Sequence, residues 1–277
     1  MVGHFGLPPA GFGPGSQPSD VEGGELEYMP MPQDMRTFQA QIPDVEIDAS
    51  LNPALALLRE IAEAAGDPEG GNRQFDLSHL DEANRKLIAE TMGEGEVAMR
   101  LHGIPAVAVQ ESVFAGVWVM SAADRDVIEV GPVPELALKR AVDVRNEPAG
   151  PSAETLPGVV NAPSIVVELF DRSENFDPKA EMHTVNLSLL PHTEQDLEWL
   201  DLTLGKGSVE ILSRGYGNCR VAATAVPYVW RVQFFNSMDT LILDTYEVCE
   251  IPEVAIAASE DLADSGKRLL EVLEVIQ

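Results

Sequence analysis

Residues 75 to 119 match residues 187 to 231 at a constant offset of 112 without a gap, with ten identities in 45 positions. An internal repeat of this length constrains the fold more than any single motif, because the same supersecondary unit has to form twice. The identities fall where backbone geometry is demanding. Thr91, Gly93, Gly95 and Val97 meet Thr203, Gly205, Gly207 and Val209; Gly103 meets Gly215; Val117 and Trp118 meet Val229 and Trp230. Asp81 meets Thr193, both suited to cap a helix, and each is followed by a glutamate that favours the positive helix start. Past a six-residue insertion in the second copy, PELA at 134–137 meets PEVA at 252–255, and upstream NPALALL has a counterpart in APSIVVEL.

Each copy reads as helix, short strand, helix, then a group of antiparallel strands. Pro53 suits the first position of a helix whose Leu57, Leu58, Ile61 and Ala65 share one face before Gly66 and Pro68 end it. QFDL predicts a short strand, and Leu87, Ile88, Thr91 and Met92 make the apolar face of a second helix that stops at Gly93. EVAMRL, AVAVQESV, AGVWVM and DVIEV follow as strands. GEGE and GKGS each sit between a helix and a strand, where glycine serves as a C-cap rather than as a phosphate loop. The class is therefore α+β, in tandem copies. The expected organisation is an extended or disordered Gly/Pro-rich leader over 1–48, a first repeat over 49–146, a linker over 147–160, and a second repeat over 161–277. The second repeat ends in a helix with Leu262, Leu269, Leu273 and Ile276 along one side.

Asp and Glu number 46 against 18 Lys and Arg, a formal charge of -28 in 277 residues. That field repels nucleic acid and anionic lipid and attracts basic partners, so nucleic-acid binding is not expected. No stretch is apolar for long enough to insert directly in a membrane, and the first residues lack the pattern of a secretory signal, which points to the cytoplasm. Cys219 and Cys249 are the only cysteines, too few for a disulfide framework.

The copies differ most at SRGYGNCRV, residues 213 to 221, whose counterpart is LHGIPAVAV at 101 to 109. Gly215 keeps the place of Gly103 and reads as a turn glycine needing positive φ. Arg214, Tyr216, Gly217, Asn218, Cys219 and Arg220 replace groups that are mostly apolar in the first copy, so they are the candidate binding residues. Cys219 faces Val107, as a buried thiol would, yet Arg214 and Arg220 are near enough in sequence to activate an exposed one. Both readings stand on sequence alone. There is no CxxC, HExxH or Walker lysine. Of the histidines and cysteines only a set drawn from Cys219, Cys249, His183 and His192 is a conceivable metal site, and no carboxylate pair singles itself out for acid/base work. No cofactor and no enzymatic activity are expected.

GFGPGSQP, LEYMPMP and MRTF near the start, then VNLSLLPHTEQDLEWLDLTLGKGSVEILSRGYGNCRV, VW, FFNS, DTLILDTYEV and IPEVA, resemble the hydrogenase accessory proteins called HupH, HyaF or HoxQ. The resemblance spans the leader and most of the second copy. It implies a cytoplasmic chaperone for an uptake-type [NiFe] hydrogenase. Such a protein would bind the iron-sulfur small subunit before export, with a thioredoxin-like accessory protein as a further partner. No catalytic residues come with the resemblance. The candidate contacts are then the 214–220 turn and the sticky residues of the leader between 11 and 38. The rival reading is a metal- or iron-sulfur-cluster-handling protein that works through Cys219.

Overall fold

The computed structural model of the chain describes residues 48–143, 147–215 and 217–276. The leader, but for Asp48, and Tyr216 lie outside the described residues. In the first half, α1 (Asn52–Ala65) precedes the short strand β1 (Arg73–Asp76) and α2 (Glu82–Met92). Then come β2 (Val97–Leu101), β3 (Val107–Glu111), β4 (Val117–Ala122), β5 (Asp126–Val130) and a short helix α3 (Glu135–Ala141). In the second half, α4 (Ala162–Glu174), β6 (His183–Asn186) and α5 (Glu194–Leu204) lead into β7 (Val209–Ser213), β8 (Asn218–Ala223), β9 (Val229–Phe235) and β10 (Leu241–Val248). The chain closes with α6 (Ser259–Ile276). Helices and an antiparallel sheet are thus segregated as an α+β fold requires.

All ten strands join one sheet in the order β1-β5-β4-β3-β2-β7-β8-β9-β10-β6. The halves meet at an antiparallel ladder between β2 and β7, in which Met99 lies opposite Ile211. Each half runs outward from that ladder as a meander and ends on its own short edge strand, β1 or β6. Directly opposed residues share a face of a sheet. Met120, Val109, Met99, Ile211, Val221 and Val232 therefore form one row on a first face, which α3 and the turn at Glu253–Ala255 cover. Val119, Gln110, Ala98, Leu212, Arg220 and Gln233 form a row on the second face.

Among the described residues, helices cover the second face only toward its ends. α1, α2 and α6 pack over β4 and β5, and α4 and α5 pack over β6, β9 and β10. α6 follows the second half in sequence, yet its main helical neighbour is α1 of the first. The segment expected as a linker also packs: Gly150 N–H donates to the Thr203 carbonyl at 3.1 Å, and the Trp199 indole donates to Glu154 O at 3.1 Å. The core beneath the first face draws side chains from both halves, so the halves do not have wholly separate interiors.

Local sequence explains the elements. Asp81 caps α2 by accepting from Asn84 N–H, and Thr193 makes a reciprocal capping box with Asp196. Gly93 and Gly205 end their helices at φ +56° and +65°, a conformation that costs a side-chain-bearing residue about 1 kcal/mol or more. Asn84 and Asp196 each reach from the second helix of their half to the start of the first. Asn84 Oδ1 accepts from Ala54 N–H, while Asp196 Oδ1 accepts from Val160, Asn161 and Ala162 N–H.

Candidate functional site

The 214–217 turn joins β7 to β8 and lies at one end of the sheet beside the β9–β10 turn. Among its described residues positive φ falls on Gly217, at +104°, and not on Gly215. The expectation for Gly215 is therefore corrected. A Cβ at Gly215 would meet only the tip of the exposed and flexible Glu96 side chain, while Arg214 N–H donates to Glu96 O at 3.0 Å. In the first half the matching Gly103 sits against the Arg140 guanidinium, which donates to the carbonyls of Leu101 and Pro105, each at 2.7 Å. That arginine ties down the first turn from inside the chain.

Strand alternation divides the candidate residues between two environments. Asn218 and Arg220 project from the second face, with Arg220 and Arg214 exposed and Asn218 half-buried. Cys219 projects from the first face and is 3% exposed, packed in the core that both halves share. Burial pushes its thiol up to about 11, and the nearby Glu247 carboxylate pushes in the same direction. As an outward contact, Cys219 is corrected to a core residue: a two-residue period cannot present Asn218, Cys219 and Arg220 on one side. Cys249 is half-buried and is pushed by burial up to about 12, with Glu247 and Glu250 adding to the shift. Neither thiol has the lowered pKa that thiolate chemistry needs.

Among the described residues no group of three or more His, Cys, Asp or Glu side chains is placed to hold a metal ion. The set Cys219, Cys249, His183 and His192 is not brought together. His183 Nε2 instead lies 2.8 Å from Glu168 Oε1, and His192 Nδ1 lies 2.9 Å from the Leu190 carbonyl. No helix among the described residues is long and apolar enough to cross a membrane.

The start of β8, just past this turn, meets the β9–β10 hairpin. Asn218 lies opposite Phe235, and the Arg220 guanidinium carbon sits 4.5 Å from the Phe235 ring centroid. A guanidinium nitrogen of Arg220 is also 3.9 Å from Asp239, which occupies the hairpin turn at φ +57°. Asn236 organises that turn: its Oδ1 accepts from Met238 N–H at 2.9 Å and Thr240 N–H at 3.0 Å. Met238 is left 79% exposed at the tip, with Ile242 61% exposed along the same hairpin. One strand further in, Arg231 is held tightly by Asp244 and Asp201, at 2.8 and 2.7 Å, so it is a structural cation while Arg220 is a surface one.

The site thus consists of the exposed Arg214 in one turn and, in the strand that follows, Arg220 reaching toward a hairpin turn whose Met238 is exposed. Phe235, Met238, Asp239 and Ile242 carry no weight in the reading of the sequence, although FFNS and DTLILDTYEV contain or border all four. The missing signal was spatial: only the β8–β9 and β9–β10 ladders bring the two turns together.

Two segments, residues 51–153 and 159–276, match the family described as HupH hydrogenase expression protein, C-terminal conserved region. The chain is 57% identical over 282 aligned positions to the Hydrogenase expression/formation protein HupH of Rhodobacter capsulatus, covering all of both chains. It is 47% identical to the Hydrogenase expression/formation protein HoxQ of Cupriavidus necator, over 98% of this chain and 97% of the relative. To the Hydrogenase-1 operon protein HyaF of Escherichia coli it is 31% identical, over 95% and 94%. With matches to nearly its whole length and to both of its halves, the chain belongs to the HupH family of hydrogenase expression proteins.

Proposed function

We propose that this chain is an accessory protein of hydrogenase formation that holds a client polypeptide, the iron-sulfur small subunit, before that subunit is exported. The observation that carries the reading is the surface at the paired turns. Arg214 and Arg220 are exposed at one turn and the end of the strand after it, Arg220 reaches Asp239 in the hairpin turn, and Met238 and Ile242 are exposed on that hairpin, a combination suited to gripping a protein. Names of full-length relatives support the process, and the acidic body supports a client with basic segments. We propose too that the chain is a duplicated unit, 49–146 and 161–277 joined by 147–160. The two matches to one family region and the same outward strand order in each half support this. Tyr216, Gly217 and Asn218 belong to the proposed contact with the two arginines; Cys219 supports it from below.

Co-purification from cells that make the immature small subunit tests the proposal. Wild-type tagged protein retains the subunit, whereas Arg214→Ala with Arg220→Ala, and separately Met238→Asp, retain several-fold less while unfolding at the wild-type temperature. Wild-type retention by both variants would remove the turns from the contact. A wild-type bait that captures no small subunit would remove the client.

A further inference from the structure

A second surface lies at the opposite side of the second half, away from the turns. A cleft of about 280 Å³ opens where the segment after α4 enters the edge strand β6, facing the end of β10 and the chain beyond it. Ile251 and Val248 line it as buried walls, and Met182 and Ile256 line it while 47% and 42% exposed. Phe176, another lining residue, is held in place by stacking on Tyr228 with centroids 4.1 Å apart. Tyr228 itself adopts φ +64°.

The two edges of the sheet are built alike but finished differently. At the first edge Arg73 lies opposite Val130, so Asn72 stands next to Gly131. Asn72 closes that place: its amide donates to Glu129 at 2.6 Å and to the Val133 carbonyl at 2.7 Å, and a Cβ on Gly131 would collide with it. At the second edge His183 lies opposite Val248, so Met182 stands next to Cys249. No amide reaches across here among the described residues, and the cleft is what remains.

The rim supplies a charge preference. Asp177, Glu181 and Glu250 are exposed around the cleft, against Arg172 as the one lysine or arginine among its lining residues. Among the described residues β6 pairs with β10 on one side only, which leaves its outer edge with backbone donors and acceptors for an added strand.

We infer that this cleft and the free edge of β6 together take an extended segment of another protein that alternates basic and apolar side chains. The backbone of that segment continues the sheet, one apolar side chain fills the cleft between Met182 and Ile256, and its cations meet Glu181 and Glu250. The inference rests on the reading of the chain as a polypeptide-binding protein, but it uses a different surface from the turns. A chain of charge -28 favours a cationic segment at long range, and the cleft gives it a register.

The probe is a fluorescein-labelled decapeptide of alternating lysine and valine, titrated into the purified full chain and followed by anisotropy. An alternating glutamate and valine peptide is the reference. The lysine peptide binds and the glutamate peptide does not. Glu181→Lys with Glu250→Lys weakens binding by about tenfold or more, as two lost charge contacts should. Glu60→Lys with Glu63→Lys makes the same charge change on the outer side of α1 and alters binding by less than about threefold. Equal weakening by both pairs, no binding of the lysine peptide, or a concentration-dependent dimer broken by Met182→Lys would each overturn the inference. Arg214→Ala with Arg220→Ala leaves the peptide bound, so loss of client capture through the turns and loss of the cleft are separate outcomes.

Discussion

The guanidinium of Arg220 in β8 lies over the ring of Phe235, the last residue of β9, 4.5 Å from its centroid. The Arg220 side chain is 58% exposed and its carboxylate partner, Asp239, is 70% exposed, so solvent screens the ion pair. Arg220→Ala should therefore cost no more than about 1 kcal/mol of stability. The same change should reduce client retention several-fold. A urea titration beside the co-purification checks the difference, and a stability loss as large as the binding loss would make Arg220 a structural residue.

Asp196 should matter much more for stability. Its buried carboxylate accepts backbone hydrogen bonds from Val160, Asn161, Ala162 and Thr193. Burial acts to raise its pKa, and these donors overcome that and hold it well below the ordinary carboxylate range. Asp196→Ala leaves the buried Ala162 N–H and the partly exposed N–H groups before it without their carboxylate acceptor, at an expected cost of about 1–3 kcal/mol. A depressed native pKa means that the contribution is complete above the ordinary carboxylate pKa of about 4 and is lost as pH falls below it. Denaturation midpoints of wild type and Asp196→Ala should converge in acid; a gap that stays constant down to pH 3 would contradict this.

Glu111 should show the reverse sign. Burial lifts its pKa to about 7, against hydrogen bonds that include one from Gly116 N–H at 3.1 Å, and the charges of Glu96 and Asp261 add to the rise. The folded chain then binds the proton more tightly than the unfolded one. Its stabilisation is present below the ordinary glutamate pKa and is lost as pH rises toward 7. Glu111→Gln keeps an acceptor for Gly116 without a charge, so it should stabilise the chain by about 1–3 kcal/mol at pH 8 and change little at pH 4. Thermal unfolding at the two pH values reads this directly.

Cys219 should behave as a core residue. Cys219→Val places in β8 the residue that β3 has at Val107 and should shift stability by less than about 1.5 kcal/mol. Cys219→Ser buries a hydroxyl in an apolar cluster and should cost about 1–3 kcal/mol. In native protein at pH 8 both thiols should react with a maleimide or disulfide reagent far more slowly than in urea, because burial keeps both largely protonated. Fast labelling of Cys219 in the folded chain would restore the thiol reading.

Much of the fold could be read in advance because its boundaries are set locally. Asp81, Thr193, Gly93 and Gly205 mark helix ends through their own backbone and capping chemistry, and the short apolar runs of β2 to β5 announce a group of strands. Three things could not be read this way. The β2–β7 ladder, which makes one sheet of ten strands, depends on pairing between residues far apart in sequence. So does the packing of α6 on α1. The seating of the turn on Glu96, whose carbonyl accepts from Arg214 N–H, is a contact made across strands. At the site, alternation within β8 already separates Cys219 from Arg220, but the β9–β10 hairpin that completes the surface emerges only from register.

The ladder between β2 and β7 has a consequence for how the chain is made. Ribosomes deliver the first half while Val209–Ser213 does not yet exist, so β2 emerges with its partner edge bare and with Val97, Met99 and Leu101 on a face that is buried only in the finished sheet. Nascent chains halted before β7 should therefore associate with one another or with general folding factors. Once β7 is released, the seam closes within a single molecule and that exposed interval ends.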